Sequence, residues 1–337
     1  MLLAGFSLVQ LVAVTTLARV GTYFIYRLNA YKVFPALSLD PRLFLWSRVR
    51  ELTGFSVYVS IIDWANRLNY SIDAIIIGAY LGAAAVAIWT VPQRLAEMLQ
   101  RLTNQFNGVI FPAIVESDAG QRPERLRVIF IEGTRFSLAA VVPLAAAMFL
   151  LAQPLILAWV GPKFNDSIIV TQVLIAVVAI RVGNATATTV LKGSGRHRFL
   201  AFSNASAALA NVAISLLLIR RFGLIGQAFG TLIPVAFFSV VILWPAACRR
   251  VGIDALEAFR VAVWPTLWPV AVMALVVIPV RDALPGRLFA VALAGAAGTL
   301  AYAVTFLAFA VKRDERQTYL ARATAILRSR RRVPAAA

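Results

Sequence analysis

Two otherwise apolar stretches of this chain carry polar and charged side chains at an interval that is meaningful only on a helix. Ser56, Ser60, Asp63, Arg67 and Tyr70 step by 4, 3, 4 and 3 residues, and Thr90, Arg94, Glu97, Arg101 and Asn104 repeat those steps. At ~100° per residue each set stays within about 40° of one line along its helix. A second row flanks each stripe: Asn66 and Asp73 in the first stretch, Gln93, Gln100 and Asn107 in the second. Guanidinium groups gathered on such a face would draw a phosphorylated or otherwise anionic ligand. Their fork matches phosphate oxygens, and a cleft lined by one sign of charge focuses its field.

Seven ionised residues fall in these stretches and a neighbouring one: Asp63, Arg67, Asp73, Arg94, Glu97, Arg101 and Arg181. At ~2.5–3.5 kcal/mol for each unpaired charge at the centre of a bilayer, leaving them all in lipid would cost about 20 kcal/mol. They must be paired, wet, or both. Local pairs are available, Asp63 with Arg67 and Glu97 with Arg101 four residues apart and Arg94 with Glu97 three apart, so a purely structural role stays open. Arg94 and Arg101 nonetheless share the single Glu97, and no acidic residue lies one turn from Arg181 along the chain. Net positive charge facing a cavity is therefore expected. Arginine is the general cation here, 29 against 4 lysines, so no single arginine marks selection for its fork.

The elements that position these groups must be membrane helices. Hydrophobic residues make up 61% of the 337, charged residues 14%, and mean hydropathy is +0.80. Soluble chains run near ~45–50% apolar and ~25% charged. Backbone in lipid must satisfy its own hydrogen bonds, which leaves the helix as the form for such runs. With ~20 residues per crossing, the fold class expected is an all-α polytopic membrane protein of about nine spans, near 2–26, 52–77, 83–115, 136–160, 167–190, 199–219, 224–247, 261–280 and 288–311. Asp63, Arg67 and Arg94 then lie in the middle third of the hydrocarbon. Polar clusters at Asn184, Thr186, Thr188 and Thr189, and at Ser203, Asn204, Asn211 and Ser215, are expected to bond between helices.

Charge in the connections orients the spans. One side collects 23 of the 33 Lys and Arg, in 27–50, 122–135, 192–198, 249–260 and the tail, and the other collects five, Lys163, Arg220, Arg221, Arg281 and Arg287. Basic loops stay inside, so the C-terminus is expected in the cytoplasm and the N-terminus outside. Met1 opens a span with no basic flank to direct it there, which reads as the latter part of something longer. Residues 27–51, with Pro35 and Pro41, read as a basic amphipathic connector, and 313–332 as a surface helix in a basic tail.

Several classes fall away. One cysteine, Cys248, and one histidine, His197, exclude an internal disulfide and a Cys/His metal set. Neither a P-loop nor a dinucleotide fingerprint is present, and Gly193-Ser194-Gly195 reads as a loop. No cofactor, metal or catalytic residue is expected. The net charge of +18 is spread between apolar runs and forms no basic face with interleaved aromatics, which argues against nucleic acid.

Three stretches resemble the polysaccharide-exporter branch of the MOP superfamily, the Wzx-like flippases related to MATE transporters. They are Ile72-Asp73-Ala74-Ile75-Ile76-Ile77-Gly78-Ala79-Tyr80-Leu81-Gly82; Val91-Pro92-Gln93-Arg94-Leu95 running on to Phe111-Pro112; and Leu191-Lys192-Gly193-Ser194-Gly195-Arg196 through Asn211-Val212 to Phe222-Gly223-Leu224-Ile225-Gly226-Gln227-Ala228. The resemblance implies a MATE-like six-helix C-lobe over 52–250, two additional helices over 251–311, a basic tail over 312–337, and 1–26 as the last helix of an N-lobe. Most of that N-lobe has no counterpart here, so a second chain or a missing lobe is an expected partner. Implied, too, is transport without enzymatic chemistry: an undecaprenyl-pyrophosphate-linked oligosaccharide crossing the bacterial plasma (inner) membrane among membrane lipids. Arg67, Arg94, Arg101 and Arg181 would then meet the pyrophosphate, while Asp63, Asp73 and Glu97 position them or couple an ion or proton. A MATE-type drug antiporter would favour an acidic or aromatic cavity. A membrane polymerase or ligase would need a large outside loop, and none here exceeds about a dozen residues.

Overall fold

The computed structural model describes residues 8–35, 37, 44–281 and 287–310, and every regular element among them is helical. The chain divides into two compact units, Met1–Gly54 and Phe55–Ala337. In the first, α1 (Leu8–Val33) exposes Val12, Leu17, Phe24 and Leu28. Its Thr15 and Thr22 hydroxyls donate to the Val12 and Ala18 carbonyls, both at 2.9 Å, so these polar groups need no water. At ~1.5 Å per residue α1 is about 39 Å long, more than the ~30 Å hydrocarbon core. It runs past residue 26 to Val33 and ends before Phe34-Pro35, where the proline disfavours helix in the residue ahead of it. The second helix, α2 (Trp46–Leu81), likewise begins before residue 52, so the connector is shorter than expected. The proposed surface helix at 313–332 lies outside the described residues.

The second unit holds the C-terminal part of α2 and α3 (Ala83–Ala119), α4 (Pro123–Leu150), α5 (Ala152–Trp159), α6 (Ser167–Gly183), α7 (Ala185–Gly193), α8 (His197–Phe237), α9 (Trp244–Val251), α10 (Ala255–Ala258), α11 (Trp264–Leu267), α12 (Pro269–Arg281) and α13 (Leu288–Thr305). Five continuous helical runs are long and apolar enough to cross a membrane: 123–150, 167–193, 197–251, 255–281 and 288–309. The third of these is two limbs, because Gly223 (φ 56, ψ −134) turns the chain back inside α8. α1, α2 and α3 are each longer than a bilayer core is thick but are not among these five apolar runs. Two of the expected spans are broken: the fourth at Leu151 between α4 and α5, and the fifth at Asn184 between α6 and α7.

Within this unit α6 packs on α3, α4 and α8, α3 also packs on α4 and α7, and the α12–α13 pair leans on α4. The turn at Gly223 has a simple cause. A left-handed backbone suits glycine, and the limbs that follow run so close that side chains do not fit between them. A Cβ on Gly226 would strike the Leu218 carbonyl, and one on Gly230 would strike Ser215. The α12–α13 pair is tied in through a second backbone irregularity. Pro265 has no N–H to offer the Val261 carbonyl one turn back, and buried Arg135 of α4 donates its Nη2 to that oxygen at 3.0 Å.

Three of the connections that the charge count groups on one side, 122–135, 192–198 and 249–260, share one end of this unit. Asp118, at the end of α3, accepts from Ser194 Oγ at 2.8 Å and pairs with Arg250 of α9. Arg127 of α4 pairs with Glu257 of α10 at 2.9 Å. At the opposite end Arg220 donates to the Tyr80 hydroxyl at 3.3 Å, and Ser167 Oγ to the Ile88 carbonyl at 2.7 Å.

Gly226→Ala and Gly230→Ala are expected to lose ~1–3 kcal/mol each through overpacking, read as a lowered Tm in detergent. Gly108→Ala, in open space on α3, leaves Tm unchanged or slightly raised.

Candidate functional site

The hairpin of α8 places two polar pairs face to face. Asn211 and Ser215 lie one turn apart on its first limb, Gln227 and Thr231 one turn apart on its second, and all four are buried. Asp73 of α2, only 5% exposed, closes the group. The Gln227 amide nitrogen has two hydrogens: one goes to Asp73 Oδ1 at 2.8 Å, the other to Ser215 Oγ at 3.0 Å. Thr231 Oγ1 reaches Asp73 Oδ2 at 3.5 Å, and Ser215 Oγ reaches Asn211 Oδ1 at 3.4 Å. Gln227 Oε1 and Asn211 Nδ2 are buried with bonding capacity left over. A carboxylate in an apolar bundle is tolerable only with donors of this kind.

Asp73 also borders a pocket of about 30 Å³ that it shares with Trp89, Gln93, Glu97, Arg181 and Thr231. A water needs ~10–15 Å³ measured this way, so the space suits about two waters and no sugar or pyrophosphate. Arg181 stands within electrostatic range of the Asp73 carboxylate. Glu97 joins this inner pocket to an outer face. It accepts from Gln93 Nε2 at 3.1 Å through Oε1 and from Arg94 Nη1 at 3.1 Å through Oε2, with Arg101 Nη2 at 3.9 Å. Its side chain is 24% exposed, against 64% for Arg94 and 74% for Arg101. Among the described residues no group of three His, Cys, Asp or Glu is placed to hold a metal ion.

The expected site residues thus fall into two sets that meet at Glu97. Arg94 and Arg101 lie on the exposed side of α3, with Thr90 and Asn104. Asp73 and Arg181 lie on the inner side. Asp63, like Ser56 and Ser60, is exposed on α2, and the Arg67 side chain lies outside the described residues. Both α3 arginines share Glu97, Arg94 at the shorter distance, so local pairing accounts for one of the two positive charges. Gln227 is the residue that sequence reasoning passed over. A glutamine one turn from a threonine in an apolar run was a readable signal for it.

The family described as Polysaccharide biosynthesis protein matches residues 6–169. The chain is 24% identical over 232 residues to the Probable flippase AglR of Haloferax volcanii, covering 68% of this chain and 46% of that one. It is 25% identical over 214 residues to the Uncharacterized membrane protein MJ1068 of Methanocaldococcus jannaschii, covering 63% of this chain and 41% of that one. It therefore spans less than half the length of these curated relatives. A multidrug resistance MATE family transporter of the MOP superfamily, solved in an outward-facing conformation, superposes with a TM-score of 0.51 at 17% identity, over 75% of this chain and 62% of that one. These matches agree with the resemblance to polysaccharide-biosynthesis flippases, and the fold is similar to that of the MATE family transporter.

The polar hairpin carries a thermodynamic signature. Gln227→Leu is expected to cost ~1.5–3 kcal/mol, because a bond to a charged group is lost and its acceptor stays buried. Asp73→Asn, which keeps the shape, costs less. The double variant is non-additive by ~1 kcal/mol or more when the two groups are coupled, read by unfolding of the purified chain in detergent.

Proposed function

We propose that this chain supplies one lobe of a flippase for a lipid-linked oligosaccharide, with the phosphate-bearing head of the lipid carrier held against Arg67, Arg94 and Arg101, while Arg181, on the inner side beside Asp73, serves the inner pocket and not the cargo. The observation that carries this reading is the outer face of α3. Two guanidinium groups and the partly buried Glu97 sit together in a segment long enough to cross the bilayer. That trio keeps a positive charge which neither hydrocarbon nor the bundle compensates, so the face must look onto water or onto an anion. A pyrophosphate supplies the matching charge and presents oxygens to both forks. Cationic drugs, the cargo suited to an antiporter of the same fold, would be repelled by it.

In the same reading the inner pocket has a separate task. It is too small for the cargo but sized for water, a proton or a small ion, and it carries Asp73 and Glu97. A change in protonation or ion occupancy there reaches the outer face through Glu97, whose carboxylate is the shared acceptor of Arg94 and Arg101. Asp63 would help position Arg67. Residues 52–250 form the C-lobe, with the helices of 251–311 added to it, and a second lobe completes the central cavity, from this polypeptide's own gene product or from a partner. The excess of Lys and Arg in alternate connections supports a cytoplasmic C-terminus; the bacterial plasma membrane and undecaprenyl pyrophosphate as the carrier rest on the resemblance alone.

In cells whose surface polymer depends on this chain, Arg94→Ala and Arg101→Ala are each expected to cut export by about tenfold or more, as loss of a charge-assisted bond worth ~1.5–3 kcal/mol implies. Membrane levels stay at the wild-type value. Wild-type export from both variants would refute the assignment. Asp73→Asn should separate coupling from binding: the protein accumulates normally, and its residual export stops responding to collapse of the proton or sodium gradient.

A further inference from the structure

At the end of the second unit where the basic connections meet, α7, the start of α8 and α9 enclose a cleft of about 440 Å³ lined by Leu191, Arg196, Phe199, Ala246, Arg249 and Arg250. By the same measure it is far larger than the inner pocket and admits a molecular headgroup. Its charges are not equivalent. Arg250 is committed to Asp118, whose carboxylate also receives Ser194, so the acid nearest the cleft is already neutralised. Of the other acids of this end, Glu116 is taken by Arg125 at 3.3 Å and Arg122 at 3.9 Å, Glu257 by Arg127 at 2.9 Å, and Asp254 caps α10 by accepting from the Leu256 and Glu257 N–H groups. Arg249 uses only its Nε, on the Pro245 carbonyl at 3.3 Å, which leaves both Nη groups. Arg196 is exposed and has no acidic partner among the described residues. Lys192 and Arg198 add positive charge on the flanking turns of α7 and α8.

Between the arginines the cleft is lined by apolar Leu191, Phe199 and Ala246, and the Phe199 side continues along α8. From Phe199 the exposed side chains of α8 run through Phe202 and Leu209 to Leu217, intervals of 3, 7 and 8 residues that keep them on one side of the helix. Arg198 lies over the Phe202 ring at 5.9 Å, where the stripe passes from charged to apolar. A cationic pocket opening onto an apolar track is complementary to a molecule with an anionic head and a hydrocarbon tail.

We infer that this cleft binds the headgroup of an anionic phospholipid, its phosphate between Arg196 and Arg249 and an acyl chain along Phe199, Phe202 and Leu209. The site stands apart from the α3 arginines and does not rest on the flippase reading. A basic pocket between membrane helices at the end with the greater positive charge matches the negatively charged leaflet. A bound lipid there would brace α7, α8 and α9 against one another.

The test is native mass spectrometry of the full chain in detergent, titrated with phosphatidylglycerol, phosphatidylcholine or inorganic phosphate. One phosphatidylglycerol is expected to bind in preference to phosphatidylcholine. Arg196→Gln with Arg249→Gln should weaken it by about 30-fold, from the contribution of two surface-facing arginines. Arg196→Lys with Arg249→Lys should retain most of it, which shows that the doubly substituted chain still folds. Arg220→Gln with Arg221→Gln, at the far end of the same limb ~36 Å away, should leave binding unchanged. Equal loss in both glutamine pairs, no loss in either, or displacement of the lipid by inorganic phosphate at equal concentration would overturn the proposal.

Discussion

An ion inside a hydrocarbon slab must find a partner or water, and this fold is organised around that requirement. Asp73 is buried because Gln227 and Thr231 reach it across the α8 hairpin. Arg135 is buried because proline leaves the Val261 carbonyl without its usual donor. Glu97 is held part-way, bonded inward to Gln93 and outward to Arg94 and Arg101. Each solution joins elements far apart in the chain, so satisfying the charges and assembling the bundle are one process. A buried ion left without its partner costs several kcal/mol, a large fraction of what holds any domain together.

The close approach of the two limbs of α8 makes the central solution possible. Gly223 lets the chain reverse, and Gly226 and Gly230 let backbone meet backbone, which sets Gln227 within reach of Ser215 and Asp73 together. A longer separation would leave the amide donating to only one of them. Packing and electrostatics are thus linked through the absence of two side chains.

The same logic gives the molecule two kinds of cationic surface with different surroundings. On α3 the arginines lie within a membrane-length helix and keep contact with a carboxylate that also faces the inner pocket. At the basic end, Asp118 and Glu116 absorb part of the positive charge and fasten α3, α4, α7 and α9 together. The arginines left over face outward beside apolar side chains. The first arrangement suits a cargo that comes and goes, the second a lipid that stays.

How much of this was legible in the chain depends on range. The sequence by itself determined the apolar helices, the polar face of α3, the pairing of Glu97 with Arg94 and Arg101, the reversal near Gly223 and the grouping of three basic connections at one end. Each of these is written in a local period, a short motif or a charge bias within a few residues. Only the tertiary structure decided that Asp73 would be bonded by Gln227, 154 residues away, that Arg135 would serve a carbonyl 126 residues away, that Arg181 would stand beside Asp73, and that Asn184 and Leu151 would interrupt long apolar runs. These depend on which distant side chain arrives at a given depth when helices pack, and no local spacing records that.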